Sequence, residues 1–435
     1  MMEKLIFLVI VFILINIIFA GTASAATPNS MYNSHTPQIN QTHTNIKIIN
    51  SKIKNTGIKT NIKFPGIHGI FINPNRTSLS NIDPTKLKTQ GITDIYVLTS
   101  RKDPKDTLEP FITKFTGTGI KVYAWVESFK DSNGNWINPE NNPKLENQII
   151  KNITSIVKNY KVSGVMLDYI RYPGNAYKYP NATDDVDSFV ATIKNNINII
   201  NNKNIPGKPK ILLTAALMPE GSSNDYYYAQ NYTRLSQYLD YLSPMIYVEN
   251  YKKPTSWIGT TTQYIKAQAN GKPVVAILKT YKYNSDAIPS PLTTNQLNID
   301  IGTALNNGSY GYELFRYGLL NPSFTVDTTP PKVSSTIPTN LKTGVSRTNT
   351  IYIKFNENIK SSINFNSISI KNLNTNKFVP NTKKISENTL KIKIKSTTTQ
   401  HANTWYQVFI PAASIKDCAG NKLKTTYTFK FKTGV

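Results

Sequence analysis

Eight short apolar runs recur between residues 64 and 327, at 66–73, 91–100, 119–129, 162–173, 210–220, 239–250, 272–281 and 308–316. Most are rich in Val, Ile, Leu and Tyr, and several follow a Gly or Pro. A run that is apolar throughout, rather than alternating, suits a strand buried on both faces, as in a parallel sheet. Amphipathic stretches such as 144–160 and 184–202 separate the runs, and Asp184 and Asp185 suit the first turn of the second stretch. Eight strand–helix units in about 260 residues match a (β/α)8 barrel in count and size. A doubly wound sheet is the alternative, but no glycine-rich phosphate loop follows the first run, so a nucleotide site has no support.

The rest of the chain sets the context. It has 435 residues, a formal net charge of +25, one Cys (Cys418) and four His. A single Cys excludes an intrachain disulfide and a cysteine-cluster metal site, and the His spacing gives no zinc-hydrolase pair. No metal or cofactor is expected. Residues 1–25 combine Lys4, an apolar run at 5–20 and the small-x-small pattern Ala23-Ser24-Ala25. They read as a cleaved secretory signal, with an uncleaved anchor as the alternative. Residues 26–63 are rich in Asn, Thr, Ser and Lys and read as a polar linker. Export leaves no nucleic acid to bind, so the positive charge is expected to face an anionic wall or envelope polymer. Asn40, Asn75, Asn152, Asn181, Asn231 and Asn307 lie in Asn-x-Ser/Thr sequons.

In a barrel, chemistry sits at the C-terminal ends of the strands. The third run supplies Trp125 and Glu127 on one face, and the fourth ends Asp168-Tyr169-Ile170-Arg171-Tyr172-Pro173. The fifth ends at Glu220, the sixth places Met245, Tyr247 and Glu249 on one face, and the eighth offers Glu313 and Phe315. Aromatics that stack on sugar C–H faces, beside carboxylates able to do acid–base work, suit a polysaccharide. Asp168 is the sharpest position, since it ends an apolar strand and has Arg171 close by. An Asp here also suits a loop cap or an ion pair with Arg171. Trp125, Tyr169 and Tyr247 also suit core or rim packing.

The string Gly164-Val165-Met166-Leu167-Asp168-Tyr169-Ile170-Arg171-Tyr172-Pro173 resembles the fourth-strand signature of the glycoside-hydrolase-like TIM-barrel families of bacteria and archaea. Ser243-Pro244-Met245-Ile246-Tyr247 is similar to their sixth strand, and Val122-Tyr123-Ala124-Trp125 to their third. The resemblance implies a (β/α)8 barrel over 64–327, polysaccharide hydrolysis and Asp168 as a catalytic carboxylate. Ile170 stands where chitinase-type barrels carry their proton-donating Glu, so a substrate-assisted mechanism is not expected. The seventh run lacks a carboxylate. Glu220 is the favoured partner of Asp168 because the fifth strand neighbours the fourth, with Glu249 the next choice. Trp125, Glu127, Tyr169, Arg171, Tyr172, Tyr247, Glu313 and Phe315 are the candidate substrate-binding residues.

After Asp327-Thr328-Thr329-Pro330-Pro331 the period changes to alternation, as in Ile351-Tyr352-Ile353-Lys354-Phe355 and Leu390-Lys391-Ile392-Lys393-Ile394-Lys395. Residues 328–435 therefore read as a β-sandwich. The stretches 350–359 and 417–421 resemble bacterial Ig-like domains, which implies a spacer or wall-binding module. This segment holds 17 Lys and Arg against 3 Asp and Glu, whereas residues 64–327 hold 27 against 21. The expected protein is an exported glycoside hydrolase acting on a cell-envelope or environmental polysaccharide, tethered by a basic Ig-like module. A non-catalytic carbohydrate-binding or surface-structural protein on the same barrel is the alternative.

Overall fold

The computed structural model describes residues 66–435 apart from 102, 132–133, 284–287, 349 and 396–399. The expected signal at 1–25 and linker at 26–63 lie outside the described residues. The first seven strands are β1 (His68–Ile72), β2 (Asp94–Leu98), β3 (Lys121–Glu127), β4 (Gly164–Asp168), β5 (Leu212–Leu217), β6 (Tyr241–Pro244) and β7 (Val275–Lys279). A short hairpin of β8 (Tyr281–Tyr283) and β9 (Pro289–Pro291) precedes β10 (Gly311–Phe315). The sheet order is β6-β5-β4-β3-β2-β1-β10-β7, and the paired strands are parallel. Bridges from Leu242 to Val274 and from Met245 to Ile277 join β6 to β7 and close the ring. All eight strands lie within the eight apolar runs read from the sequence. Among the described residues, no helix is long and apolar enough to cross a membrane.

The crossover helices form because their apolar residues recur at helical spacing. Helix Pro143–Asn159 starts on a proline, whose missing N–H costs nothing at a first turn, and buries Ile149, Ile150, Ile153, Ile156 and Val157. Helix Ala182–Asn201 carries Asp184 and Asp185 in its first turn, as the sequence led us to expect, and buries Phe189, Ile193 and Ile197. These side chains join the outward-facing strand residues, such as Val97, Ala124, Val165 and Leu167, in one core.

Inward-facing residues make a second cluster in the lumen, with Phe71, Tyr96, Tyr123, Trp125, Met166 and Tyr241 among its members. Gly164 makes room for one of these rings. A Cβ there would lie 2.3 Å from the Tyr123 ring and 2.7 Å from the Leu212 carbonyl oxygen. The lumen also contains Glu313, which is fully buried. Its Oε1 accepts hydrogen bonds from Tyr96 Oη at 2.6 Å and Ser243 Oγ at 3.1 Å, while its Oε2 has no hydrogen-bond partner. The expectation that Glu313 binds substrate at the mouth is therefore corrected. It lies two residues before the end of β10, roughly 6–7 Å along the strand, and rings close it in.

Burial pushes the Glu313 carboxyl from 4.5 up to about 8, against the opposing effect of its two hydrogen bonds. A raised carboxyl favours folding only while it holds its proton in the native state. The contribution is present below pH 4.5 and is lost as pH rises through about 8. Thermal unfolding followed from pH 4.5 to 8 should show this loss. Glu313→Gln should flatten the dependence in that window.

The C-terminal strands are β11 (Val333–Ile337), β12 (Lys342–Val345), β13 (Ile351–Phe355), β14 (Ile359–Ser361), β15 (Ser369–Asn372), β16 (Asn381–Ser386), β17 (Thr389–Ile394), β18 (Trp405–Ile410), β19 (Ile415–Asp417) and β20 (Tyr427–Thr433). Several, β13 and β18 among them, alternate between buried and more exposed residues. Sheets β11-β13-β17-β16 and β12-β20-β18-β15 enclose a core that includes Ile351, Ile353, Phe355, Leu390, Ile392, Val408 and Phe429. Lys354, Lys391, Lys393 and Lys384 take the opposite, exposed face of the first sheet. Lys384 is directly opposite Lys391, a like-charge pairing that costs stability and leaves the face strongly basic.

Barrel and sandwich meet at helix Thr294–Asn306. Gly302 lies so close to the turn after β19 that a Cβ would come within 2.2 Å of the Cys418 carbonyl oxygen. Asn421 Nδ2 also donates to the Asp327 carbonyl oxygen at 2.9 Å. Cys418 is half-buried in this turn. Gly302→Val should force the two apart, at about 1–3 kcal/mol as for other overpacked contacts. The expected readout is a lower unfolding midpoint in calorimetry, with helical circular dichroism kept.

Candidate functional site

Parallel pairing of β3 with β4 sets Glu127 opposite Asp168 and Trp125 opposite Met166. Glu127 and Asp168 end their strands with the parity of the lumen residues, so both carboxyls face the mouth. Asp168 is 8% exposed. Its Oδ2 accepts from Trp125 Nε1 at 3.0 Å, and its Oδ1 accepts from the Tyr169 backbone N–H at 2.7 Å. Arg171 Nη1 lies 3.7 Å from the same Oδ1. That nitrogen is buried and has no hydrogen-bond partner. Burial pushes the Glu127 carboxyl above its ordinary value. The Asp168 charge pushes it the same way, and Lys130 and Arg101 oppose both.

The loop after β3 is pinned beside this pair. Arg101 donates to the Ser128 carbonyl oxygen at 2.7 Å and to that of Lys130. Lys130 pairs with Trp136 in an antiparallel bridge. Tyr169 has a φ of 55°, in the left-handed region, which costs a residue other than Gly about 1–2 kcal/mol. Its ring offsets part of that cost. Lys130 Nζ is 4.1 Å and the Arg171 guanidinium 4.7 Å from the ring centre, with Trp136 edge-on at 5.4 Å. Such cation–π contacts contribute about 0.5–1 kcal/mol each where exposed.

The other expected site residues fall into distinct places. Glu220 follows β5 and accepts from Tyr251 Oη at 2.8 Å and Tyr228 Oη at 3.4 Å. Burial, and then the Glu220 charge, raise both phenols, Tyr228 to about 12, while the Arg171 charge lowers them. Arg171 is therefore charge-coupled to Asp168 on one side and to the Glu220 cluster on the other. Tyr247, Phe315, Trp125 and Phe71 form an aromatic wall. Tyr247 lies 5.8 Å from Phe315, Phe315 6.1 Å from Trp125, and Phe71 5.1 Å from Trp125, centre to centre.

Two further expectations need correction. Tyr172 is 2% exposed, with its ring 5.1 Å from that of Tyr179 and its hydroxyl donating to Asp185 at 3.2 Å. It packs in the outer core and cannot stack on a substrate, because the chain has left strand parity after the left-handed Tyr169. Ile170 is likewise fully buried there. Glu249 does not continue the alternation of β6, which ends at Pro244, since Val248–Tyr251 forms a helical turn. Its side chain is exposed, with its charge acting on Lys279 and Asp300.

Lys279 escaped the sequence reading. It is 6% exposed at the end of β7, donates to Asn250 Oδ1 at 2.8 Å, and lies 4.4 and 4.6 Å from the ring centres of Tyr281 and Tyr283. A Lys that ends an apolar run reads as the exit to solvent, so no pattern marked it. Tyr228, Tyr251 and Arg101 carried no signal either, because a loop side chain finds its partner only after folding.

Away from the mouth, Asp327, Glu357 and Asp417 each bring a carboxylate oxygen within 4.8 Å of the others. Burial and the charges of Asp417 and Asp327 push Glu357 up to about 7. Asp417 is already saturated locally, accepting from the backbone N–H groups of Gly420 and Asn421 and from Asn421 Nδ2.

Residues 327–433 match the family model described as a bacterial Ig-like domain. No curated protein matches the chain in sequence. Solved structures similar to it include a class V chitinase from Pseudomonas fluorescens, at 13% identity and a TM-score of 0.45, covering 60% of this chain and 97% of that one. A family 18 chitinase from Cycas revoluta also matches at 13% identity and 0.45, over 58% of this chain and 95% of that one. A chitinase-like agglutinin from Robinia pseudoacacia matches at 11% and 0.43, again over 58% and 95%. The chain thus joins an eight-stranded parallel barrel to a bacterial Ig-like domain.

Proposed function

We propose that the chain is an exported glycoside hydrolase acting on a cell-envelope or environmental polysaccharide, with Glu127 and Asp168 as its reacting carboxyls. The observation that carries this reading is the direct register of the two acids in unequal surroundings. Asp168 accepts two hydrogen bonds and faces Arg171. Glu127 is pushed up by burial and by the charge of Asp168. Environments that separate two carboxyls in this way support one as proton donor and the other as charged partner. Glu127 protonates the leaving oxygen as an Asp168 oxygen bonds to the anomeric carbon, and a water that gives its proton to Glu127 then hydrolyses this glycosyl ester, freeing Asp168 and restoring the Glu127 acid. Arg171 Nη1 donates to a sugar oxygen, and Trp125, Tyr247 and Phe315 give the ring an apolar wall. The pairing passes from Glu220 to Glu127 because Glu220 already accepts from two phenols.

Parallel neighbours sit about 5 Å apart, and carboxyls about 5–5.5 Å apart go with retention. The first product anomer, read by proton NMR, should keep the configuration of the substrate, and an inverted product would remove this pairing. Asp168→Asn and Glu127→Gln should each lower kcat by about 10²–10⁴-fold with circular dichroism unchanged. Glu220→Gln should cost far less. Activity should fall as pH rises through the raised Glu127 value, and this limb should vanish in Glu127→Gln.

A second reading, a carbohydrate-binding protein without turnover, has one observation in its favour. Both oxygens of Asp168 are already engaged, with Arg171 beside one of them. Polymer binding without release of reducing ends, unchanged in Asp168→Asn, would establish it.

The Ig-like module is proposed to hold the enzyme at an anionic wall or envelope polymer through the Lys354, Lys384, Lys391 and Lys393 face. Exposed charges act through screened, weakly specific attraction. Co-sedimentation with purified cell walls should therefore fall steeply between low salt and about 1 M. The double variant Lys391→Glu, Lys393→Glu should abolish it and leave activity on soluble substrate intact.

A further inference from the structure

Large exposed aromatics are normally scattered singly over a surface, yet three sit together beside the Glu220 rim. Tyr177, Tyr226 and Tyr227 are 50%, 57% and 41% exposed. The rings of Tyr177 and Tyr226 are stacked, 4.9 Å apart at 7°. Tyr227 stands at 87° to Tyr226 and 88° to Tyr177, with centres 5.0 and 6.2 Å away. The cluster joins two separate crossovers, since Tyr177 lies in the turn Ala176–Lys178 after β4 and the other two lie in helix Asn224–Tyr228 after β5.

That short helix is firmly held. Thr183 Oγ1 and Asn231 Nδ2 donate to Asp225 at 2.7 and 3.0 Å, and Asn224 Nδ2 donates to the Gln230 carbonyl oxygen at 2.8 Å. The Tyr172 backbone N–H donates to the Tyr228 carbonyl oxygen at 3.2 Å. The rings are therefore prearranged, and little conformational freedom remains to be lost on binding. The platform is also continuous with the mouth, because Tyr228 directly follows Tyr227 and its hydroxyl reaches Glu220. Lys178 Nζ lies 5.9 Å from the Tyr177 ring centre. Flat faces with phenol edges and no ion pair suit an uncharged pyranose, which offers C–H groups on its face and hydroxyls at its rim.

We propose that Tyr177, Tyr226 and Tyr227 form an outer subsite that holds a neutral stretch of polysaccharide and leads the chain into the barrel mouth. This rests on reading the mouth as a carbohydrate site, and it adds a requirement for a chain longer than the mouth itself.

The test uses full-length protein and pull-down on cellulose, chitin, xylan and purified cell-wall sacculi. The double variant Tyr177→Ala, Tyr226→Ala should lower retention on the polymer that the native protein binds by about tenfold, the scale of two lost stacking contacts. It should leave kcat on a short oligosaccharide of that polymer unchanged. Tyr226→Phe keeps the ring and should retain the polymer. Unchanged retention in the double variant, or retention of the native protein on none of the four polymers, would overturn the subsite. So would a double variant that turns a dimer into monomers in sedimentation without altering retention, since the rings would then hold a second copy. Tyrosine-dependent retention without sugar release would leave the subsite standing and remove the hydrolase reading. Sugar release from the polymer insensitive to the double variant would do the reverse.

Discussion

Closing eight parallel strands into a ring makes every second side chain point inward, and here the ring is filled by aromatics. Tyr96, Tyr123 and Tyr241 lie in the lumen, and Tyr96 Oη is 3.0 Å from Tyr241 Oη. Such rings need space, which accounts for Gly164 beside Tyr123. They also carry hydroxyls that need partners, which accounts for Glu313 and Ser243 at the same level. The lumen is thus a packed, partly polar core and not a channel. Glu127 and Asp168 finish their strands beyond this packing, at the C-terminal end of the ring.

The mouth gains its character from imbalance. Asp168 receives Trp125 Nε1, a backbone N–H and a guanidinium, whereas Glu127 lies beside that charge and is itself partly buried. Burial first, and then the neighbouring Asp168 charge, push the Glu127 carboxyl above its ordinary value. Tyr169 ties this arrangement to the loops. Its left-handed backbone turns the chain out of the strand directly after Asp168, and Lys130, Arg171 and Trp136 hold the ring where that turn leaves it. The same turn sends Ile170 and Tyr172 into the outer core.

The sandwich obeys a different constraint. Alternation puts Ile and Phe inside and Lys outside, and pairing β16 with β17 brings Lys384 opposite Lys391. Repulsion across such a pair lowers stability, so the basic face exists at some cost to the fold. The contact through Gly302 and Asn421 packs this module directly against a barrel helix. The basic face and the carboxyls at the barrel mouth therefore belong to one packed body.

Much of this was legible in the residues alone. Unbroken apolar runs suit strands buried on both faces and strict alternation suits strands buried on one, so periodicity, with the count and spacing of the runs, pointed to a barrel followed by a sandwich. The place of Asp168 at the end of β4 was legible because it closes an apolar run. The partner of Asp168 was not. Glu127, Glu220, Glu249 and Glu313 are equivalent as letters, and what separates them is register, depth and the fate of the chain after the strand. Register set Glu127 beside Asp168, depth enclosed Glu313, two phenols took Glu220, and a helical turn carried Glu249 outward. The tyrosine platform was hidden for the same reason, since its rings come from two crossovers 49 residues apart at Tyr177 and Tyr226. Local patterning selects which elements form, because it follows from side-chain solvation along one segment. Which carboxyl meets which depends on the sum of contacts from many segments, and only the closed tertiary structure brings those together.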